Sequence, residues 1–366
     1  VTRRTGGATA HGEAHGEARG TDSGAGGDVG SNVGGGADGG VVGTVRCAGR
    51  WRVATGAGRG RVVASLALLT AAVPAFHSAV PNAVGRLGSL LEAFLPWFGL
   101  VVPALFVAAL VRRSAVALVA LLLPVLTWVW LFGGLLLPAE GGPHHLTVVQ
   151  HNVSDENPDP AATATALAAA SPQLIALEEL TPSALPVYEA ALASRYPYHA
   201  VEGTVGLWSA YPLRGVRRLD IRPAGIGEGW SRGLRAGVTT PQGEIAVYVA
   251  HLPSVRIRPS GFASQLRDES ALLLGAAVAA EPVDRVVLLG DLNGTVDDRG
   301  LAPLTSRMKT PRRGFALSWP ASFPVSRIDQ VLVRSASVAG IRTLPATGSD
   351  HLPVAARITW KPATGS

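Results

Sequence analysis

Cysteine is nearly missing from these 366 residues. The lone Cys47 excludes an intrachain disulfide and any cysteine-held metal cluster. Lysine is almost as scarce: Lys309 and Lys361 are the only two, so arginine carries the positive charge. Charged groups of either sign make up 16% of the chain and apolar residues 47%. The first figure is low and the second rather high for a soluble protein. The deficit is concentrated, because residues 62–138 hold only Arg86, Glu92, Arg112 and Arg113 as charged groups. Basic excess is also missing from the C-terminal part. Residues 144–366 carry 21 basic and 19 acidic side chains, which argues against a broad nucleic-acid-binding face.

The first 50 residues contain 16 glycines and almost no large apolar side chains. They cannot bury enough surface to offset chain entropy, so residues 1–61 read as a disordered cytoplasmic tail. The doublet His11-Gly-Glu-Ala and His15-Gly-Glu-Ala reads as low-complexity drift rather than a metal site. Five arginines from Arg46 to Arg61, with no acid among them, suit a cytoplasmic membrane flank. Three apolar runs follow: Val62–Val80, Leu90–Val111 and Ala115–Leu137. Each approaches or exceeds the ~20 residues a helix needs to cross a bilayer. They predict a transmembrane anchor of about three helices over 62–138. The first run is the weakest, since it holds Pro74 and His77, and a cleavable signal is its alternative. Arg112-Arg113 should lie in the cytoplasm, which places everything after Leu137 outside. The expectation is a multi-pass protein of the cell membrane with an extracytoplasmic domain.

Residues 144–360 alternate strands with helices. Extended runs are expected at His145–Val153, Gln173–Leu177, Gly206–Ser209, Val216–Ile221, Val286–Leu289, Ile328–Val333 and Val354–Thr359. Leu234–Thr239 and Ile245–His251 flank Pro241-Gln-Gly243 as a hairpin. Helices are expected at Pro160–Ala170, Leu185–Arg195 and Phe262–Ala280, and 296–326 reads as irregular. The pattern indicates a mixed-sheet α/β domain. Its focus is Val286-Val-Leu-Leu-Gly-Asp-Leu-Asn-Gly294. Asp291 and Asn293 stand one apart where a buried strand runs out, and α/β sheets gather ligands at such strand ends.

More polar groups fall at predicted strand ends. In order, Gln150-His-Asn152, Leu174-Ile-Ala-Leu-Glu-Glu179, Gly206-Leu-Trp-Ser-Ala-Tyr-Pro-Leu213 and Val247-Tyr-Val-Ala-His251-Leu precede Gly290-Asp-Leu-Asn293. Arg327-Ile-Asp329-Gln and Ser349-Asp350-His351-Leu-Pro353 follow it. This series resembles the endonuclease/exonuclease/phosphatase (DNase I-like) superfamily of metal-dependent phosphoesterases. The resemblance implies a DNase I-like mixed two-sheet α/β sandwich, here preceded by three transmembrane helices. It implies Glu179 as principal ligand of Mg²⁺ or Mn²⁺, with Asn152 and Asp350 beside it. Asp329 is then the partner of His351, and His351 acts as general base or phosphate stabiliser. Asp291 and Asn293 orient the attacking water and the phosphate, and His251 donates to a phosphate oxygen. Two departures stand out: Glu178 where the family commonly has Gln, and Ala250 where it has Thr. Glu178 reads as a solvent-facing or supporting carboxylate rather than a second ligand.

Arg232, Arg256 and Arg258 lie near predicted loop or strand ends and suit phosphate contact. Three spans followed by this domain is similar to the teicoplanin-resistance membrane proteins of actinobacteria. That likeness implies a polyprenyl lipid carrier or another lipid-linked phosphoester as substrate. The alternatives are a surface nuclease using the same residues and a non-catalytic anchored binding protein.

Overall fold

The computed structural model describes Gly58, residues 60–138 and residues 142–360. The glycine-rich tail, Cys47 and the arginines before Arg61 lie outside the described residues.

The apolar N-terminal region forms α1 (Arg61–Ala75), α2 (Leu87–Ala93), α3 (Val101–Val111), α4 (Ala115–Ala120) and α5 (Leu122–Phe132). Among the described residues the joined run Ala115–Leu136, 22 residues, is the single helix long and apolar enough to cross a membrane, with a second if the bent pair counts as one span. The expected three spans are not shown. The first run stops early, because α1 ends at Ala75 just after Pro74. Its 15 residues reach roughly 22 Å, short of the ~30 Å hydrocarbon core. The second run is broken between Ala93 and Leu95 and bends by 67°. Pro96 opens the 3-10 turn Leu95–Leu100 there, where an α-helical continuation would lose a hydrogen bond. Leu122, Leu126, Val129 and Trp130 are exposed on the long helix.

The remaining chain builds two sheets face to face. One runs in the order β12 (Ala336–Thr343), β13 (Val354–Trp360), β1 (Leu146–Asn152), β2 (Leu174–Glu178), β4 (Val205–Ser209), β3 (Tyr198–Glu202). The other runs β11 (Asp329–Arg334), β10 (Val286–Asp291), β7 (Gly243–Ala250), β6 (Gly233–Thr240), β5 (Leu213–Arg218). A short hairpin, β8 (Ile257–Arg258) with β9 (Gly261–Phe262), stands apart. β1–β2 and β7–β10 are parallel, and the other pairs within the two sheets are antiparallel.

Strand alternation explains the layers. Val148, Leu174 and Ala176 face Val287, Leu289 and Val331 across the space between the sheets. Ile175 and Leu177 point the other way, onto α6 (Pro160–Ala169) and α7 (Leu185–Leu192). Leu288 and Leu332 pack against α8 (Gln265–Ala279). Each such aliphatic side chain contributes about 1.5–3 kcal/mol by burial. Both faces of β2 and β10 are thus covered, which is why their sequences are unbroken apolar runs.

Several contacts join the helical region to the domain, among them three sets of hydrogen bonds. Phe262 N donates to Gly85 O at 2.8 Å. Trp97 Nε1 donates to Val325 O at 2.8 Å. Arg299 binds Glu92 through its backbone N, Nε and Nη2 at 2.7–2.9 Å.

Candidate active site

The two-residue period that fills the core also makes the site. Gln150 and Asn152 continue the inward face of Val148, and Glu178 that of Ala176. Asp291 continues the face of Leu289, and Asp329 lies opposite it in the β10–β11 register. Polar groups from both sheets therefore meet at one end of the inter-sheet core. Gly290 makes this possible, since a Cβ there would fall 1.9 Å from Ala250 O.

Distances confirm the convergence. Asn152 Nδ2 donates to Asp291 Oδ2 at 3.1 Å. Asn293 N donates to Asp291 Oδ1 at 2.9 Å, and its Nδ2 donates to Leu252 O at 2.9 Å. Asn293 adopts φ +47°, a left-handed conformation that Asn tolerates. Glu179 adopts φ +61°, which a residue of this type holds only where its surroundings enforce it. Asp329 Oδ2 lies 2.8 Å from His351 Nδ1. His351 Nε2 lies 3.8 Å from Asp291 Oδ2. His251 Nε2 lies 3.6 Å from Asp291 Oδ2 and 3.7 Å from Glu179 Oε1. Arg232 Nη1 sits 3.2 Å from His251 Nδ1. His251 N donates to Arg232 O at 2.9 Å, so the backbone of His251 is held although Ala250 offers no hydroxyl.

Charge states follow from these neighbours. Burial disfavours the His351 imidazolium, but the Asp329 carboxylate outweighs it and raises His351 to about 10. Burial, then Arg232 and His351, hold His251 well below the ordinary histidine range, so it is neutral. Burial, more than the opposing pull of His351, pushes the Asp291 carboxyl up. Burial and then Asp329 push Glu178 well above the usual carboxylate range.

Most of the expected site residues thus come together: Asn152, Glu179, His251, Asp291, Asn293, Asp329, His351 and Arg232. Asp350 is exposed and precedes His351. Arg256 and Arg258 are exposed at the β8–β9 hairpin, and no described contact carries them to the cluster. Glu178 differs from a solvent-facing carboxylate: it is fully buried, and Gln150 Nε2 donates to it at 2.7 Å and to Asp329 at 3.0 Å. Gln150 stands two residues before Asn152 on β1 and therefore shares its face. Ser349 is a further support, donating to Asn152 O at 2.7 Å and accepting from His351 N at 3.0 Å.

The donor set fits a hard divalent cation. Glu179, Asp291 and Asp329 gather around His251 and His351, with Arg232 behind His251. Buried Glu178 Oε1 and Gln150 Oε1 have no hydrogen-bond partner. No three His, Cys, Asp or Glu among the described residues form a closed metal cage. Mg²⁺ does not need one, because it keeps waters and takes one or two carboxylates.

A sequence profile of the Endonuclease/Exonuclease/phosphatase family matches residues 107–351. No curated protein matches the chain. Among solved structures, beta toxin from Staphylococcus aureus is 14% identical, with a TM-score of 0.49 over 58% of this chain and 99% of that one. D. rerio TDP2 complexed with single strand DNA product is 17% identical, with a TM-score of 0.49 over 58% and 98%. Sphingomyelinase C from Streptomyces griseocarneus is 18% identical, with a TM-score of 0.45 over 59% and 99%.

Proposed function

We propose a function from one premise: the chain belongs to the endonuclease/exonuclease/phosphatase family. Its two-sheet sandwich is the DNase I-like architecture, and the family supports hydrolase activity. Within it, this protein is a Mg²⁺-dependent phosphoesterase working on a membrane-borne substrate. The observation that carries the chemistry is the Asp329–His351 pair, 2.8 Å apart, facing Asp291 at the end of the inter-sheet core.

Glu179 and Asn152 would hold the cation. When bound, it draws charge from a phosphate oxygen and prepares water for attack. His351, kept protonated by Asp329, meets the phosphate as a cation and stabilises developing charge. Asp291 accepts the proton of the attacking water, and its own burial makes it a stronger base than an exposed aspartate. Asn293 fixes Asp291 through its backbone N–H. His251, neutral and held by Arg232, donates to a phosphate oxygen or toward the leaving group. Arg232, with Arg256 and Arg258 on the hairpin, supplies cationic contact for the rest of the substrate.

The helix Ala115–Leu136 directly precedes the domain and supports a membrane setting. Arg112-Arg113 at its start favours a domain on the outer face. A lipid-linked phosphate or pyrophosphate, such as a polyprenyl carrier in envelope metabolism or glycopeptide resistance, fits that placement. The near-neutral domain weighs against a nuclease.

The test uses full-length protein in detergent with Mg²⁺ or Mn²⁺. It compares undecaprenyl pyrophosphate, phospholipids, bis(4-nitrophenyl) phosphate and plasmid DNA. Metal-dependent release of phosphate or alcohol from the lipid substrates is expected. Hydrolysis of DNA alone would establish the nuclease, and no hydrolysis of any ester would overturn the enzyme.

A further inference from the structure

A groove of about 820 Å³ opens between the apolar helices and the domain. That is within the size range of small-molecule sites. Trp97, Trp128 and Phe132 form the helical side, and Phe315 and Val325 form the domain side. The two indoles show the groove only carbon, because Trp97 Nε1 is taken by Val325 O and Trp128 Nε1 by Pro96 O, at 2.8 and 2.7 Å. Trp128 also stacks on Phe315, centroids 6.4 Å apart, so the helix and the domain share one aromatic wall.

The ends of the groove differ. One is open along Val129 and Leu136, 53% and 62% exposed on the helix that is long enough to span a bilayer. The other is built from Thr295–Asp297 and Arg327. The first segment begins two residues after Asn293, and Arg327 lies two residues before Asp329. Arg327 is only 7% exposed. Its Nη1 donates to Gly314 O and Phe315 O at 3.2 Å, while its Nε has no partner. Asp297, at the same end, is the carboxylate that faces this guanidinium, so this end is polar where the rest of the groove is apolar.

We infer that this groove seats the hydrocarbon chain of a membrane-held lipid phosphate, its phosphate directed past Arg327 to the Asp291–His351 site. The inference rests on the phosphoesterase reading above and supplies its substrate class. The apolar lining suits an apolar occupant. Residues 1–50, with 16 glycines and almost no large apolar side chains, are poorly suited to fill it. Lipid tails are as apolar in the bilayer as in the groove, so the gain in binding is small. What the groove supplies is register: it fixes how far the phosphate projects from the membrane. Selectivity then falls on chains long enough to stay in the groove while the headgroup reaches the site.

Two measurements on the full chain test this. In phosphatidylcholine vesicles, a long-chain alkyl monophosphate with a diazirine near its tail should label peptides covering 95–100, 125–136 and 310–325. Labelling confined to the outer faces of α1 and α4, or crosslinks between two copies of the chain at the groove, would overturn the inference. Val129 is half exposed, so Val129→Trp narrows the groove at little risk to folding. The ratio of kcat/KM for a long-chain lipid phosphate to that for bis(4-nitrophenyl) phosphate should fall at least ~tenfold in this variant. A ratio unchanged within about twofold overturns the groove while leaving the phosphoesterase standing. Groove labelling in a protein that hydrolyses no ester would do the reverse.

Discussion

Glu92, on α2, is bound by Arg299, which lies six residues past Asn293 in the loop leaving β10. The carboxylate accepts from the Arg299 backbone N at 2.9 Å, Nε at 2.8 Å and Nη2 at 2.7 Å, and is 1% exposed. Arg299 also donates to Val80 O and His77 O, at 2.8 and 2.9 Å. The helical region is thereby bolted to the loop that follows Asn293 rather than merely leading into it. Removing one partner strands the other charge. Arg299→Met should cost roughly 3 kcal/mol, and Glu92→Leu with Arg299→Met should recover most of it. Thermal unfolding in one detergent decides this; equal melting of the single and double variants would show that the pair does not act as a unit.

A second route reaches the same loop from beneath. Arg267, fully buried on α8, donates through Nη1 to Asn293 O at 3.1 Å and through Nη2 to Asp298 at 2.5 Å. Its neighbour Asp268 is paired with Arg86. Arg267→Lys keeps the charge but cannot make both bonds, so kcat should drop at least ~tenfold while KM changes less. Steady-state rates on a soluble phosphodiester read this out. An unchanged kcat would mean that Asn293 is positioned without Arg267.

Catalytic substitutions should be more severe. Glu179→Gln, His351→Ala and Asp329→Asn should each reduce turnover at least ~100-fold, the scale of acid–base and charge-stabilising groups. Chelation should silence the parent enzyme, and added Mg²⁺ should restore it. Near-parental rates in Glu179→Gln would place the metal elsewhere.

The pH dependence of stability has a defined contributor in Glu281. Burial opposes its charge, but bonds from Arg235, Tyr248 and Val283 N, at 2.7–3.1 Å, hold its carboxyl down to about 2. A depressed folded-state pKa contributes stability above the unfolded value, ~4.3. That contribution disappears as pH falls from about 5 toward 2, and amounts to about 3 kcal/mol. Glu281→Gln should melt lower than the parent at neutral pH, and the gap should close through this window. A gap constant from pH 7 to pH 3 would refute the assignment.

Much of this molecule can be read in advance because its strands follow one rule. Val286 to Leu289 is apolar on both sides and ends on Asp291, so both the burial and the site follow from alternation. β12 was missed because the register shifts between Val338 and Gly340, which breaks the period. β3 was missed because Tyr198–Glu202 is an edge strand with exposed residues that give no apolar alternation. The helical region is less legible for another reason. Hydropathy counts apolar residues but not where a helix stops, and Pro74 and Pro96 decide that. The Gln150–Glu178 bond is not legible in the sequence, because the burial of both residues is a property of the facing sheet. Arg299 and Glu92 are more than two hundred positions apart, and nothing local announces their meeting.

The stitching at Gly85, Glu92 and Trp97 has a kinetic consequence. In the proposed membrane setting, a domain clasped to its own helices at these points would keep a constant tilt over the lipid plane, and encounters would occur by lateral drift within the leaflet. Velocity should track the mole fraction of substrate in the vesicle and ignore its overall molarity, as in surface-dilution kinetics.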